Sequence, residues 1–150
     1  MKLFESRAKK RLSPGKLIVP KDGSQQVEKL ENIPREALWR TDMILAVIIR
    51  DYLRAFIVES PCVGNCVIRD NTEGKSYFET LMEISESPEA EKEYAGRWEK
   101  LVNKTADEFD ELINEIKQSY TDKTITIEKL NESAAKAFGD LAYIFNDLCW

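Results

Sequence analysis

Four groups of residues in this 150-residue chain have types and spacings that could do chemistry. The first is Gly74-Lys75-Ser76, which ends as a phosphate-binding loop ends and follows the strand-like Val67-Ile68. The glycine that opens such a loop would fall at Arg69, and Glu73 would set a negative charge where phosphate oxygens need amides, so an ordinary turn is the better reading. The second is Cys62-x-x-x-Cys66. Cys149 is the one further thiol and no histidine exists to complete a tetrahedron, so plain thiols are expected, with Cys66 buried rather than reactive. The third is the acidic run Asp107, Glu108, Asp110, Glu111, in which Glu108-Phe-Asp-Glu111 has the spacing that lets two carboxylates on one helix hold Mg²⁺. A helical wheel turns Asp107, Asp110 and Glu111 away from the apolar stripe, which favours a solvated face. The fourth is basic. Arg40, Arg50 and Arg54 fall within about 80° of one another on the wheel, with Trp39 close by as a stacking plane. Their guanidinium groups suit a clamp on the phosphates or carboxylates of a partner protein or an anionic small ligand. The competing reading pairs them with the acidic helix and Asp42 of the same chain.

The absence of histidine removes Ser-His-Asp and Cys-His nucleophile systems, imidazole bases and every His-containing metal site. No catalytic residue, metal ligand or cofactor is therefore assigned. Apolar residues make up 43% and charged residues 33%, a mix too hydrophobic for disorder and too charged for a membrane protein. The longest uncharged apolar run, Met43 to Ile49, is far too short for a bilayer. Three cysteines make no even framework and the N-terminal segment lacks the apolar region of a secretory signal, so a reducing cytoplasm is expected.

Charge is unevenly divided. Residues 1–21 carry seven basic groups, among them Lys9, Lys10 and Arg11, against the single acid Glu5. That net +6 leaves −11 on residues 22–150, given the overall −5. A basic arm on an acidic body can meet nucleic acid, an acidic protein or the body itself.

The elements that must position these groups follow from periodicity. Residues 1–35 hold Pro14-Gly15, Pro20, Asp22-Gly23 and Pro34, turns too frequent for a helix, and read as a basic N-terminal arm. From 36 to 150 the chain reads as one helical domain. Pro34 and Glu36 open a helix over about 35–58 whose stripe, Leu38, Leu45, Ile48, Ile49, Tyr52, Leu53 and Phe56, is expected to face the core. Asp42 projects into that stripe and there needs a donor from elsewhere. Cys66-Val67-Ile68 and Ser76-Tyr77-Phe78 flank a turn-rich segment and predict a β-hairpin at about 62–78, with a short helical piece at about 78–84. Ser87-Pro88-Glu89 caps a second long helix to about Tyr120, apolar through Trp98, Leu101, Val102, Thr105, Phe109, Leu112, Ile113 and Ile116. A third covers about 127–149 and buries Leu130, Ala134, Ala137, Phe138, Leu141, Ile144, Phe145 and Leu148. The fold class is mainly α: three long helices around one core, with a small β-hairpin and a basic arm. Tyr143 and Trp150 lie off the main face and are candidates to seed a homodimer.

Residues 105–145 resemble the MazG-type all-α nucleotide pyrophosphatases, through Glu108-Phe-Asp-Glu111 and Ala137-Phe138-Gly139-Asp140-Leu141-Ala142-Tyr143. Ser133 and Lys136 stand where that family's second pair of metal-binding carboxylates would be. Residues 38–150 also resemble small helical proteins of tailed phages and mobile elements of gut bacteria: Trp39, Asp42, Leu53 and Phe56 in the first helix, Trp98, Leu101 and Phe109 in the central one, and the ending Leu148-Cys149-Trp150. That resemblance implies a setting in a host bacterium's cytoplasm, where compact non-enzymatic proteins inhibit or sequester a host component, a defence factor or its nucleotide signal. The leading expectation is such a binding protein, using Trp39, Arg40, Arg50 and Arg54 with Lys9, Lys10 and Arg11. The alternatives are a degenerate pyrophosphatase and a nucleic-acid-binding protein using residues 1–21.

Overall fold

The computed structural model describes residues 41–59, 62–70, 74–121 and 124–148. The chain divides into two compact units, residues 1–44 and 45–150. The described residues of the first, Thr41 to Ile44, are helical; the arm and residues 35–40 lie outside the described residues. Among the described residues five α-helices follow one another: α1 Thr41–Glu59, α2 Asn65–Arg69, α3 Tyr77–Glu86, α4 Pro88–Ser119 and α5 Ile127–Ile144, with a 3-10 turn at Phe145–Asp147. The protein is mainly helical, and among the described residues there is no strand.

The expected hairpin is thus replaced by two helices. Cys66-Val67-Ile68 has β propensity, but Cys66 and Ile68 are buried and the Cys66 amide donates to the Asp147 carboxylate at 2.7 Å, so tertiary contacts fix one helical turn. On the other side Ser76-x-x-Glu79 is a capping box. The Ser76 hydroxyl accepts from the Glu79 amide at 3.3 Å and the Glu79 carboxylate accepts from the Ser76 amide at 2.7 Å, so Tyr77-Phe78 opens α3 instead of closing a strand.

The start of α4 read from its capping residues is observed: Ser87 accepts from the Ala90 amide at 3.2 Å with Pro88 in the first turn. α5 has a cap that sequence reasoning missed, Thr126 accepting from the Lys129 amide at 3.2 Å. α4 supplies most of the core: Trp98, Val102, Ala106, Phe109, Leu112, Ile113 and Ile116 are buried. α5 packs along it through Ala137 and Ile144, and Phe138 meets the Phe109 ring edge-on at 5.2 Å. Burying each large apolar side chain contributes on the order of 1.5–3 kcal/mol, which makes α4 the element on which the others depend. Phe138 and Phe145, expected inside, are exposed at the margin of the α5 stripe.

Gly64 has a steric duty. It precedes α2 and lies against the Trp98 ring so closely that a Cβ would stand 2.4 Å from Cε3. Phe56 of α1 meets the same indole edge-on at 6.4 Å between ring centres. Trp98 is therefore held between two segments. Its indole N–H and the Tyr94 hydroxyl are buried without a hydrogen-bond partner.

α1 is rotated from its expected orientation. Ala46 and Leu53 are buried, whereas Leu45, Ile48 and Tyr52 of the expected core stripe are exposed, as is Asp42, which needs no buried donor. The helix carries apolar residues on every side, Val47 and Ile57 as well as Leu45 and Ile48, so periodicity alone does not choose a face. The arginine side turns inward.

Candidate functional site

Arg50 and Arg54 sit one helical turn apart on α1 and reach the acidic residues of α4. Arg50 Nη1 donates to Asp110 at 2.8 Å while its Nε and Nη2 hold Asp51 at 2.9 and 2.7 Å. Arg54 donates to Asn103 at 3.0 Å, to Asp107, and to the other oxygen of Asp110 at 3.3 Å. Burial pushes the Asp110 carboxyl up, but hydrogen bonds from Arg50 and then Arg54 outweigh it and hold it below the usual carboxylate range. Arg50 is raised by Asp110 first and Asp51 second, and Arg54 by Asp107. The structure brings these two arginines together on an internal partner, the competing reading of the sequence. Trp39, Arg40, Lys9, Lys10 and Arg11 lie outside the described residues.

A second charged cluster lies between α4 and α5. Glu108 is only 4% exposed, a burial that the wheel did not single out. One of its oxygens has Lys104 Nζ at 3.5 Å and Lys136 Nζ at 3.4 Å. Lys104 also binds Asp140 at 2.5 Å, and Lys136 lies 3.8 Å from Glu111. The Lys104 hydrogen bond comes first among the influences that lower the Asp140 carboxyl, and burial opposes it. Two ammonium groups therefore lie between Glu108 and its acidic neighbours, Lys104 bridging it to Asp140 and Lys136 to Glu111. These residues do not fit a divalent ion: two of the three carboxylate charges are already offset, and no group of three or more metal-binding side chains is placed to hold a metal among the described residues.

The remaining motifs have structural uses. Gly74 takes a left-handed conformation (φ 73°), Ser76 caps α3, and Lys75 pairs with Glu83 at 2.7 Å. The carboxylate of Glu79 occupies the helix entrance that a phosphate would need. Cys66 is buried; burial first and then the Asp147 carboxylate push its thiol up to about 12, far from thiolate chemistry. Tyr143 donates to Asp70, and that bond, with burial next, raises its hydroxyl to about 12. Trp150 and Cys149 lie outside the described residues.

The surface that sequence reasoning missed is the outer side of α3. Thr80 is buried and anchors the helix, leaving Phe78 at 75% and Met82 at 57% exposure one turn apart. Beside them runs the acidic row Glu79, Glu83, Glu86, and together these residues line an open hollow of about 480 Å³ that ends at Ser87. The signal was present as Phe78-x-x-x-Met82 alongside Glu79-x-x-x-Glu83 within the short helix expected at about 78–84, but that this side stays outside follows only from the burial of Thr80. No family model matches the chain, and neither a curated protein nor a solved structure is significantly similar to it.

Proposed function

We propose that the chain is a non-catalytic helical binding protein that inhibits or sequesters a host component, of the phage-encoded kind that its sequence resembles, a defence factor or its nucleotide signal being the target class. The observation that carries the binding role is the exposed Phe78 and Met82 pair on α3, bordered by carboxylates. Two adjacent large apolar side chains left in water on an open helix face, with carboxylates beside them, support a recognition surface rather than a core. The charged clusters support the same reading, because among the described residues Arg50, Arg54, Lys104 and Lys136 are engaged in ion pairs within the molecule.

Native mass spectrometry of the full chain after incubation with host-cell extract tests this. A defined adduct with a protein or a nucleotide is the expected result. Turnover of a nucleoside triphosphate with Mg²⁺ by the purified chain would overturn it in favour of the pyrophosphatase alternative. Salt-sensitive DNA or RNA binding that disappears when residues 1–21 are deleted would favour the nucleic-acid alternative.

A further inference from the structure

We propose that the outer side of α3 is a docking groove for a basic amphipathic segment of a partner protein, one whose Lys or Arg residues flank an apolar stripe. This rests on the binding role above and names the chemistry of the partner. The apolar floor comes from Phe78 and Met82, related by one helical turn, which is the spacing at which a laid-in peptide presents its own anchors. The residues that line the hollow all belong to α3 or its C-cap, so the site is an open helix face, suited to a chain segment laid along it rather than an enclosed small molecule.

Charge selects the partner. Along the face itself the chain holds three acids, Glu79, Glu83 and Glu86, and one base, Lys75, for a net charge of −2. Lys75 is committed to Glu83. Nucleic acid, phosphate and acidic peptides are repelled from such a rim, whereas lysines and arginines gain steering and register from it. Both ends of the face are held by hydrogen bonds. The capping box fixes the start of α3, Tyr77 donates to Asn65 of α2 at 2.9 Å, and Ser87 ends α3 while capping α4. A preformed face reduces the ordering cost of binding.

The probe is a fluorescein-labelled amphipathic helix of about four turns made of Leu and Lys, with a matched Leu and Glu peptide as control, followed by anisotropy against the full chain. The Leu/Lys peptide should bind saturably, weaken with salt, and lose about tenfold or more in affinity to the variant Phe78→Ser with Met82→Ser. Glu83→Gln with Glu86→Gln should weaken binding about threefold or more and flatten the salt dependence. Phe78 and Met82 are outside the core, and circular dichroism verifies that each variant remains helical. Equal binding to wild type and variants, equal binding of the Leu/Glu peptide, or no binding at all overturns the groove. So does sedimentation showing a dimer that only the Phe78/Met82 variant loses, which would assign the face to a second copy. If host extract still yields its adduct with the α3 variants, the binding role stands and the groove alone falls.

Discussion

Replacing Gly64 with alanine is expected to destabilise the protein, while the same substitution at Gly96 and Gly139 is expected to stabilise it. At Gly64 the new Cβ would lie 2.4, 2.5 and 2.8 Å from three atoms of the Trp98 ring. Ordinary contact begins about 1 Å further out, so either the ring or the segment entering α2 must shift by that much. Trp98 is 1% exposed and has Phe56 against its edge, so the ring cannot swing into open space. Overpacking of this kind costs about 1–3 kcal/mol, a loss in Tm on the order of 10 °C for a domain of this size. At Gly96 in α4 and Gly139 in α5 a Cβ meets nothing within 4 Å. There alanine restricts the unfolded chain and suits the helix, for a gain of about 0.5–1 kcal/mol each. Urea unfolding of the three variants, followed by far-UV circular dichroism, reads both signs in one assay. A Gly64→Ala variant as stable as the wild type would refute the close approach of this segment to Trp98, and with it the placement of α2 against α4.

Four further outcomes are expected. Tyr94→Phe should raise stability by about 1 kcal/mol in the same urea assay, because it removes a buried hydroxyl that has no partner. Asp110→Asn should cost about 0.5–1 kcal/mol at neutral pH, a figure kept low because the side chain is 40% exposed. Its depressed carboxyl contributes stability above the unfolded value of about 4 that is lost as pH falls toward the folded value, so the variant's acid unfolding curve should be shallower, and a parallel curve would contradict the arginine pairing. Lys104→Ala with Lys136→Ala should cost about 1–3 kcal/mol by stranding the buried Glu108 carboxylate, and adding Glu108→Gln should recover part of it; melting temperatures decide, and no recovery counts against the cluster. In a Cys149→Ser background a thiol reagent at mildly alkaline pH should modify Cys62 and leave Cys66 untouched until the protein unfolds, since the Cys66 thiol titrates at about 12.

What the sequence disclosed depended on how one-sided each element is. α4 was legible from Ser87-Pro88 to its buried stripe because apolar and charged residues separate cleanly around it. α1 was legible as a helix but not in orientation. With apolar residues on all sides, its facing follows from Ala46 and Leu53 packing inward, Phe56 meeting Trp98, and Arg50 and Arg54 reaching Asp110, the last between positions 60 and 56 residues apart, contacts that local patterning cannot express. The hairpin expectation followed side-chain propensity in Cys66-Val67-Ile68 and passed over two stronger determinants, the Ser76-x-x-Glu79 box nearby and the remote Asp147. At the candidate site, Glu108 lay at the edge of the wheel's stripe, so its burial under Lys104 and Lys136 follows only from the pairing of α4 with α5. The α3 face stayed hidden although a short helix was expected at about 78–84, because which side that helix buries is set by Thr80 packing inward, a tertiary contact that local patterning does not express.

The hydrogen bond from the Cys66 amide to Asp147 joins residues 81 positions apart. During synthesis the one-turn helix α2 must wait for nearly all of that intervening polypeptide to leave the ribosome before its first amide is satisfied. α4, lying between them, can form early from its own cap, so the nascent protein is expected to hold a finished central rod while its flanking turn stays open to proteases until the last act of folding.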